Sequence, residues 1–412
     1  MSGIPKTMRA VVYRGVNDLR LETVPVPRIG PGELLVRVAV CGVCPTDIKK
    51  IHHGTVPPPR IFGHETAGTI VKIGGGNASL VTRHSSLKVG DRVALHHHVP
   101  CLDCHFCRHR AFAQCETYKR TGITAGFEPA GGGYAGYVRV MNFVLPGVVK
   151  IPAKNSFAEG AMLEPVNTVL KAVRRLNLLP GDTVLVAGQG PIGLMFTRLL
   201  KIAGIKVLAT DLLPSRLKLA KKFGARRTCL ASEVSSLVTR HSSPLDAAII
   251  AVPSDTAVQQ ALQLVRGGGQ VLLFAHTRRS GSEIRNPKSE IRNPAPLASR
   301  PSTLNSQLDL ASICVDEKDL IGSYSADFTL QREVARLVFS RRLDVRDLIT
   351  HSFTLDKTAA AIQLASGPTP DSLKILVNVG DNKIPRPEQR ALPVCAVLTM
   401  DCQPARECKK DQ

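Results

Sequence analysis

The sequence contains no tryptophan, and aromatic residues make up only 4% of it. That leaves no aromatic-rich strand of the kind that stacks on RNA bases. It also lacks any apolar run of the roughly 18 residues that a membrane-spanning helix needs. Its opening stretch, MSGIPKTMRAVVYR, has no apolar core resembling a secretory signal. The expectation is a cytoplasmic protein without a membrane partner, where thiols stay reduced. Acidic residues are the other shortage: 33 stand against 54 Lys and Arg, a formal net charge of +21. An excess of that size is one mark of a nucleic-acid partner. Here the basic residues are scattered, no basic helix appears, and metal-bound thiolates would cancel part of the charge. No nucleic-acid partner is expected.

What the chain does have is length and two contrasting patterns. Its 412 residues exceed one ordinary core, so two domains are expected. From Met8 to about Val149 the apolar runs are short and punctuated by Gly and Pro: AVVYR, LLVRVAVC, GTIVKIG, DRVAL, GYVRVM. They read as antiparallel or mixed strands. From about Gly181 strands and helices alternate, with VLVAG and KVLATD each followed by a helical segment and AAIIAV and QVLLFA as later strands. That alternation predicts a parallel α/β sheet.

Two repeats sit outside this order. SLVTRHSS occurs at 79–86 and at 236–243, and SEIRNP at 282–287 and 289–294. Proline in each hexapeptide forbids a coiled coil despite the period of seven. Both repeats read as low-complexity additions, and 279–306 has a disordered composition, as does the tail 381–412. Loop-closure entropy grows only logarithmically with length. A deletion of 280–305 is therefore expected to leave steady-state turnover equal or higher, and a large loss would show that the segment has a role.

The segment CLDCHFCRHRAFAQC carries Cys101, Cys104, Cys107 and Cys115. Four such thiolates close tetrahedrally on one ion, and zinc is the usual choice in a reducing compartment. A disulfide set and an iron–sulfur centre are the alternatives. A site filled by four protein thiolates has no open position, so it is structural and the reactive metal lies elsewhere. CGVCPTD and GHETAG supply Cys44, His64 and Glu65, a sulfur, a nitrogen and an oxygen; MLEPVNTVLKA adds Glu164. A catalytic zinc takes about three protein ligands and keeps one position open.

Gly188, Gly190 and Gly193, with Pro191 and Ile192 between the last two, form GxGxxG between a strand and a helix. The first glycine permits a tight turn, the second admits pyrophosphate, and the third allows close helix packing. Asp211 ends the next strand, 23 positions after Gly188, where a ribose-binding acid is expected. Such an acid favours NAD over NADP, whose 2′-phosphate would meet it as a like charge. Arg216, five positions on, is expected to flank the adenine.

Taken together, CGVCPTD, GHETAG, GDRV, the four cysteines, LEP and GQGPIG, in that order, resemble the zinc-containing medium-chain alcohol dehydrogenases, and most nearly their sorbitol and threonine dehydrogenase branch. The resemblance spans about residues 8 to 380, apart from the repeats. It implies a GroES-like β-rich catalytic domain over 1–165, with a zinc lobe at 96–118. A Rossmann doubly wound parallel sheet over 166–323 and a segment at 324–380 returning to the first domain complete the implied fold. It implies two zinc ions per chain, one catalytic at Cys44, His64 and Glu65 with Glu164 as a further or alternating ligand, and one structural. The cofactor is NAD, and the small-molecule substrate is an alcohol or polyol oxidised to a ketone or aldehyde, with zinc as Lewis acid. A β-hydroxy amino acid such as threonine is the alternative substrate. A non-catalytic zinc-binding protein or a decayed enzyme is the alternative from another class.

Thr46 matches the hydroxyl that takes the alcohol proton. The histidine that continues the relay in many relatives is Lys49 here, and neither His52 nor His53 is assigned to replace it. DLIGSY (319–324) matches a strand bordering a dimer interface, implying a homodimer or homotetramer. The remaining cysteines are read as core (Cys41, Cys229, Cys314) or as free thiols in the tail (Cys395, Cys402, Cys408). Of His96, His97 and His98, one is expected to line a pocket and none to bind metal.

Overall fold

A computed structural model describes residues 3–75, 87–96, 99–121, 131–236, 245–275 and 308–380. The SLVTRHSS repeats (Ser236 excepted), the SEIRNP repeats, the 279–306 insertion, His97, His98 and the tail with its three cysteines lie outside them. All described residues belong to one unit, Met1–Asn382.

Strands β1 (Thr7–Gly15), β2 (Asp18–Pro25) and β4 (Arg60–Ile61) form a small antiparallel sheet. β3 (Leu34–Gly42) is the hub of a larger mixed one, pairing with β5 (Glu65–Ile73), β7 (Tyr137–Val140) and β16 (Lys374–Asn378). β6 (Arg92–Leu95), β8 (Val149–Lys150) and β15 (Ile349–Thr354) complete that sheet. Its core is the apolar face of β3, β5, β6 and β7, with Leu34, Val36, Ile70 and Val138 all at 0% exposure.

The third sheet runs β11-β10-β9-β12-β13-β14: Arg227–Leu230, Lys206–Asp211, Thr183–Ala187, Leu245–Ile250, Val265–Leu273 and Asp319–Gly322. Every pair in it is parallel. Buried strands such as TVLVA and LDAAII read as nearly continuous apolar runs because helices cover both faces. In order along the chain these strands are 3-2-1-4-5-6, so the connections reverse direction between β9 and β12. A crevice opens there at the strands' carboxyl ends, the usual place for a dinucleotide.

After the parallel sheet the chain returns to β3. Leu376 faces Gly42 and Val377 faces Cys41 across an antiparallel ladder. Ile375 and Val377 share one buried cluster with Val12, Ile51 and Phe62, which welds the last strand to the first domain's core. Cys41 and Cys229 are buried as expected, but Cys314 is exposed. It lies in the six-residue helix Leu310–Val315, which buries none of its residues, so the apolar look of LASICV does not mark core.

Candidate functional site

The helix Pro45–His53 begins at Cys44, whose sulfur accepts the Thr46 amide at 3.5 Å. Across the β3–β5 ladder, Glu65 faces Gly42. A Cβ at Gly42 would lie 1.8 Å from the Glu65 carboxylate, so this glycine is what admits the acid. Cys44, His64 and Glu65 thus bring one donor atom each to within 4.8 Å of one another.

Four supporting side chains escaped the sequence reading. Asp47, wholly buried one helical turn into CGVCPTD, places Oδ2 at 3.2 Å from His64 Nδ1 and accepts the Gly63 amide at 3.2 Å. A carboxylate on one imidazole nitrogen orients the other for a metal. Burial opposes ionisation of both groups, yet each holds the other charged: Asp47 is pulled below the usual carboxylate range and His64 is raised well above its ordinary value. The second group, Lys374, opens β16 with Nζ 2.5 Å from the Glu65 carboxylate and 2.9 Å from the Val43 carbonyl. Burial lowers its pKa, but Glu65 and Cys44 more than offset that and hold it charged. Last are Tyr118 and Tyr324, both within electrostatic reach of His64 and Glu164; the Tyr118 hydroxyl lies 3.3 Å from Ser325 Oγ. The signal for Asp47 was an acid in the first turn after a ligand cysteine. Lys374 carried none, being 309 positions from its partner.

Glu164 sits in the first turn of the helix Leu163–Val173, just outside the three-donor cluster. Burial, with help from Glu65 and Asp47, pushes its carboxyl up to about 7 against the pull of His64 and Lys374. A buried imidazole, a thiol and two carboxyls crowded together suit a divalent cation.

The four lobe cysteines come together as one cluster as well. Cys104 Sγ is 3.5 Å from Cys107 Sγ, and Cys101 Sγ is 3.9 Å from it. All four are unbridged. The Asp103 and Cys104 amides hold Cys101 down to about 6, whereas burial and the neighbouring thiols push Cys107 up to about 12. Four sulfurs so close cannot all ionise without a cation among them, which is the condition a zinc ion meets.

At the carboxyl end of β9, Gly188 has φ of 91°, which a side chain would strain. A Cβ on Gly193 would fall 1.7 Å from the Gly188 carbonyl oxygen, so only glycine lets the helix Pro191–Ile202 start this close to the strand. At Gly190 nothing lies within 4 Å of the equivalent point, and no side chain caps the helix there. The cradle is open where pyrophosphate is expected, beside amides that favour an anion. Asp211 closes one side, accepting the Gln189 amide at 2.6 Å and the Leu213 amide at 2.9 Å. It therefore fixes the glycine turn rather than capping the helix Pro214–Phe223, whose cap residue is Leu213.

Arg216 is buried, and its Nη2 donates to the carbonyl oxygens of Thr369, at 3.2 Å, and Ser372, in the returning segment. Its Nη1 has no hydrogen-bond partner among the described residues.

His96 is buried and belongs to neither donor cluster. Burial pushes its imidazole down from 6.5 to about 3. The fold thus favours the neutral ring. The stability this contributes is present above about pH 6.5 and is lost as pH falls towards 3. Against His96→Leu, the wild type should lose about 1.4 kcal/mol more per pH unit in this window, read from urea melts at pH 6, 5 and 4.

Comparison with known proteins agrees with this geometry. Residues 30–153 match the alcohol dehydrogenase GroES-like domain and residues 191–338 the zinc-binding dehydrogenase family. The sorbitol dehydrogenase of Bombyx mori is 28% identical over 383 residues, covering 90% of this chain and 98% of that protein. "Probable D-xylulose reductase A" of Emericella nidulans is 30% identical over 361 residues, covering 82% and 88%. A protein of E. coli CFT073 described as a short chain alcohol dehydrogenase, solved with NADH, shares the fold at a TM-score of 0.74 and 24% identity, covering 91% of this chain and all of that one.

Proposed function

Because the chain belongs to the zinc-containing medium-chain alcohol dehydrogenases, on their sorbitol dehydrogenase-like branch, we propose that it oxidises a polyol or other secondary alcohol to the ketone and passes hydride to NAD. It is a zinc-dependent oxidoreductase of the GroES-like and Rossmann fold. The observation that carries the reading is the Cys44–His64–Glu65 donor set in one chain with the Gly188 turn and its open cradle. The relatives named for sorbitol and xylulose favour a polyol over a β-hydroxy amino acid.

In this reading Cys44, His64 and Glu65 hold the catalytic zinc, with Glu164 as a reserve ligand, and the four lobe cysteines hold a second, structural ion. When bound, the catalytic zinc supplies a Lewis acid and NAD a hydride acceptor. The protein's own groups do the rest. Asp47 keeps the His64 ring turned to the site. Lys374 neutralises and steadies Glu65. Glu164, with a pKa of about 7, can be ionised or neutral at working pH as the charge beside it changes. Thr46, in the first turn after Cys44, takes the alcohol proton through its hydroxyl, and Lys49 stands at the next relay position.

The catalytic part comprises 1–165 and the returning 324–380, and 166–323 bind the cofactor. β14, at the edge of the parallel sheet, is the strand on which a second copy would pair, giving a homodimer or a tetramer of such pairs. Among the described residues no helix is long and apolar enough to cross a membrane. The proposed setting is the cytoplasm, with no nucleic-acid partner. NAD reduction across sorbitol, xylitol, short alcohols and threonine, with zinc counted per chain, tests the whole reading. Turnover of threonine alone would overturn the substrate class.

The cofactor choice has its own test. A lost charge-assisted hydrogen bond costs about 1.5–3 kcal/mol, roughly tenfold to a hundredfold in affinity. Asp211→Ala should weaken NAD by that order and narrow the preference over NADP in kcat/KM. Because Asp211 also holds the Gln189 amide, the glycine turn loosens too. An unchanged NAD-to-NADP ratio would remove Asp211 from the ribose site.

A further inference from the structure

Ser325 has a backbone φ of 64°, in the left-handed region that a residue with a side chain seldom enters. Such a conformation lasts only where its surroundings over-determine it, and it is commonest in segments that serve a site. Three side chains hold the backbone and hydroxyl here. Lys171 Nζ donates to the Tyr324 carbonyl at 2.7 Å, and Asn167 Oδ1 accepts the Asp327 amide at 2.8 Å. The Tyr118 hydroxyl lies 3.3 Å from Ser325 Oγ.

Lys171 and Asn167 belong to the helix Leu163–Val173, whose first turn carries Glu164. Tyr118 comes from the cysteine lobe. Its helix, Glu116–Thr121, starts directly after Cys115, the wholly buried fourth thiol. The lobe therefore meets this segment twice, through Tyr118 at Ser325 and through Phe112 against Phe328. Between the held positions Ala326 is buried, whereas Tyr324 is half-exposed and within electrostatic reach of His64 and Glu164. Burial raises the pKa of the Tyr118 phenol, so it keeps its proton and remains a hydrogen-bonding group.

We infer that Tyr118 is a positioning residue for the alcohol: from the cysteine lobe it holds Ser325 in the left-handed conformation and so sets the neighbouring Tyr324 beside the Cys44–His64–Glu65 cluster. This rests on the alcohol dehydrogenase reading proposed above. The lobe then does more than stabilise the fold. Its fourth cysteine fixes the start of the short helix that delivers Tyr118, and the shape of the substrate side depends on that delivery.

The test uses the full zinc-loaded chain and the variants Y118F, S325A, S325G and Y118F/S325A. Measured are kcat and KM for sorbitol and xylitol, Tm, and exchange of the backbone amides at 325–327. Loss of one neutral hydrogen bond corresponds to about a twofold to tenfold change. Y118F should raise KM for the polyol by that factor and speed exchange at 325–327, with kcat within about twofold. S325A should match it. Y118F/S325A should be no worse than either single variant, because both remove the same contact. S325G should lose less than S325A, since glycine takes the left-handed backbone unaided. A lowered Tm with KM unchanged in Y118F would make Tyr118 a structural prop and overturn the inference. Additive losses in the double variant, or S325G as damaging as S325A, would do the same. Wild type that oxidises no alcohol would sink the functional reading instead. The amide exchange needs no turnover, and if Y118F left it unchanged the hold on Ser325 would itself be refuted.

Discussion

Cys44→Ser should fold, hold one zinc per chain where the wild type holds two, and oxidise its alcohol about a thousandfold more slowly. The sulfur is half-buried at a helix start and touches little but the Thr46 amide and the site, so its replacement leaves the core intact. What goes is the softest of three donors. A Lewis acid contributes several kcal/mol to stabilising charge on the reacting oxygen, and about 4 kcal/mol corresponds to a thousandfold in rate. The remaining His64 and Glu65 are each pinned by a partner, Asp47 and Lys374, and cannot swing to close the gap. Metal content by mass spectrometry, paired with turnover, decides the matter: full turnover with one zinc missing would disprove the assigned role.

The second large effect falls on stability. Cys115 is wholly buried and accepts the Cys101 amide at 3.4 Å, at the point where the lobe closes on itself. Cys115→Ser should lose the other zinc and cost about 4 kcal/mol or more, as loss of a structural metal does. In a chain of this size that lowers Tm by about 5 °C. Turnover at low temperature should fall by less than tenfold, because none of the four lobe cysteines belongs to the Cys44–His64–Glu65 cluster and the lobe rests on the protein through contacts such as Phe112 against Phe328, ring centroids 5.6 Å apart. Paired with Cys44→Ser, the experiment separates a metal that reacts from one that holds. Equal losses of activity in both would collapse that distinction.

Local features of the chain were legible in its sequence. KVLATD is β10 to the residue, and GxGxxG sits on the turn its glycines require, because steric limits at Gly188 and Gly193 are settled within a few residues. The four lobe cysteines and the GHE motif could be read for the same reason. Pairings between distant segments could not. Nothing near Glu65 in the sequence announces Lys374, and nothing near Asp211 says that Arg216 turns towards 369–372. Burial misled at Cys314, where an apolar helix too short to pack leaves its thiol in solvent. The scarcity of tyrosine was itself a clue left unread: of five in the chain, Tyr118 and Tyr324 lie within electrostatic reach of His64 and Glu164.

The return of β16 to β3 sets an order of events during synthesis. Cys44, His64 and Glu65 leave the ribosome early, but the lysine that neutralises Glu65 and the strand that pairs with Gly42 arrive only after the whole parallel sheet has been made. Domains fold as they emerge, and pairing across so wide a stretch is slow. Until β16 is made, one edge of β3 and the carboxylate of Glu65 lack the partners they have in the finished fold. Completion of β16 is what supplies the last charged partner of Glu65, 309 positions after it in the chain.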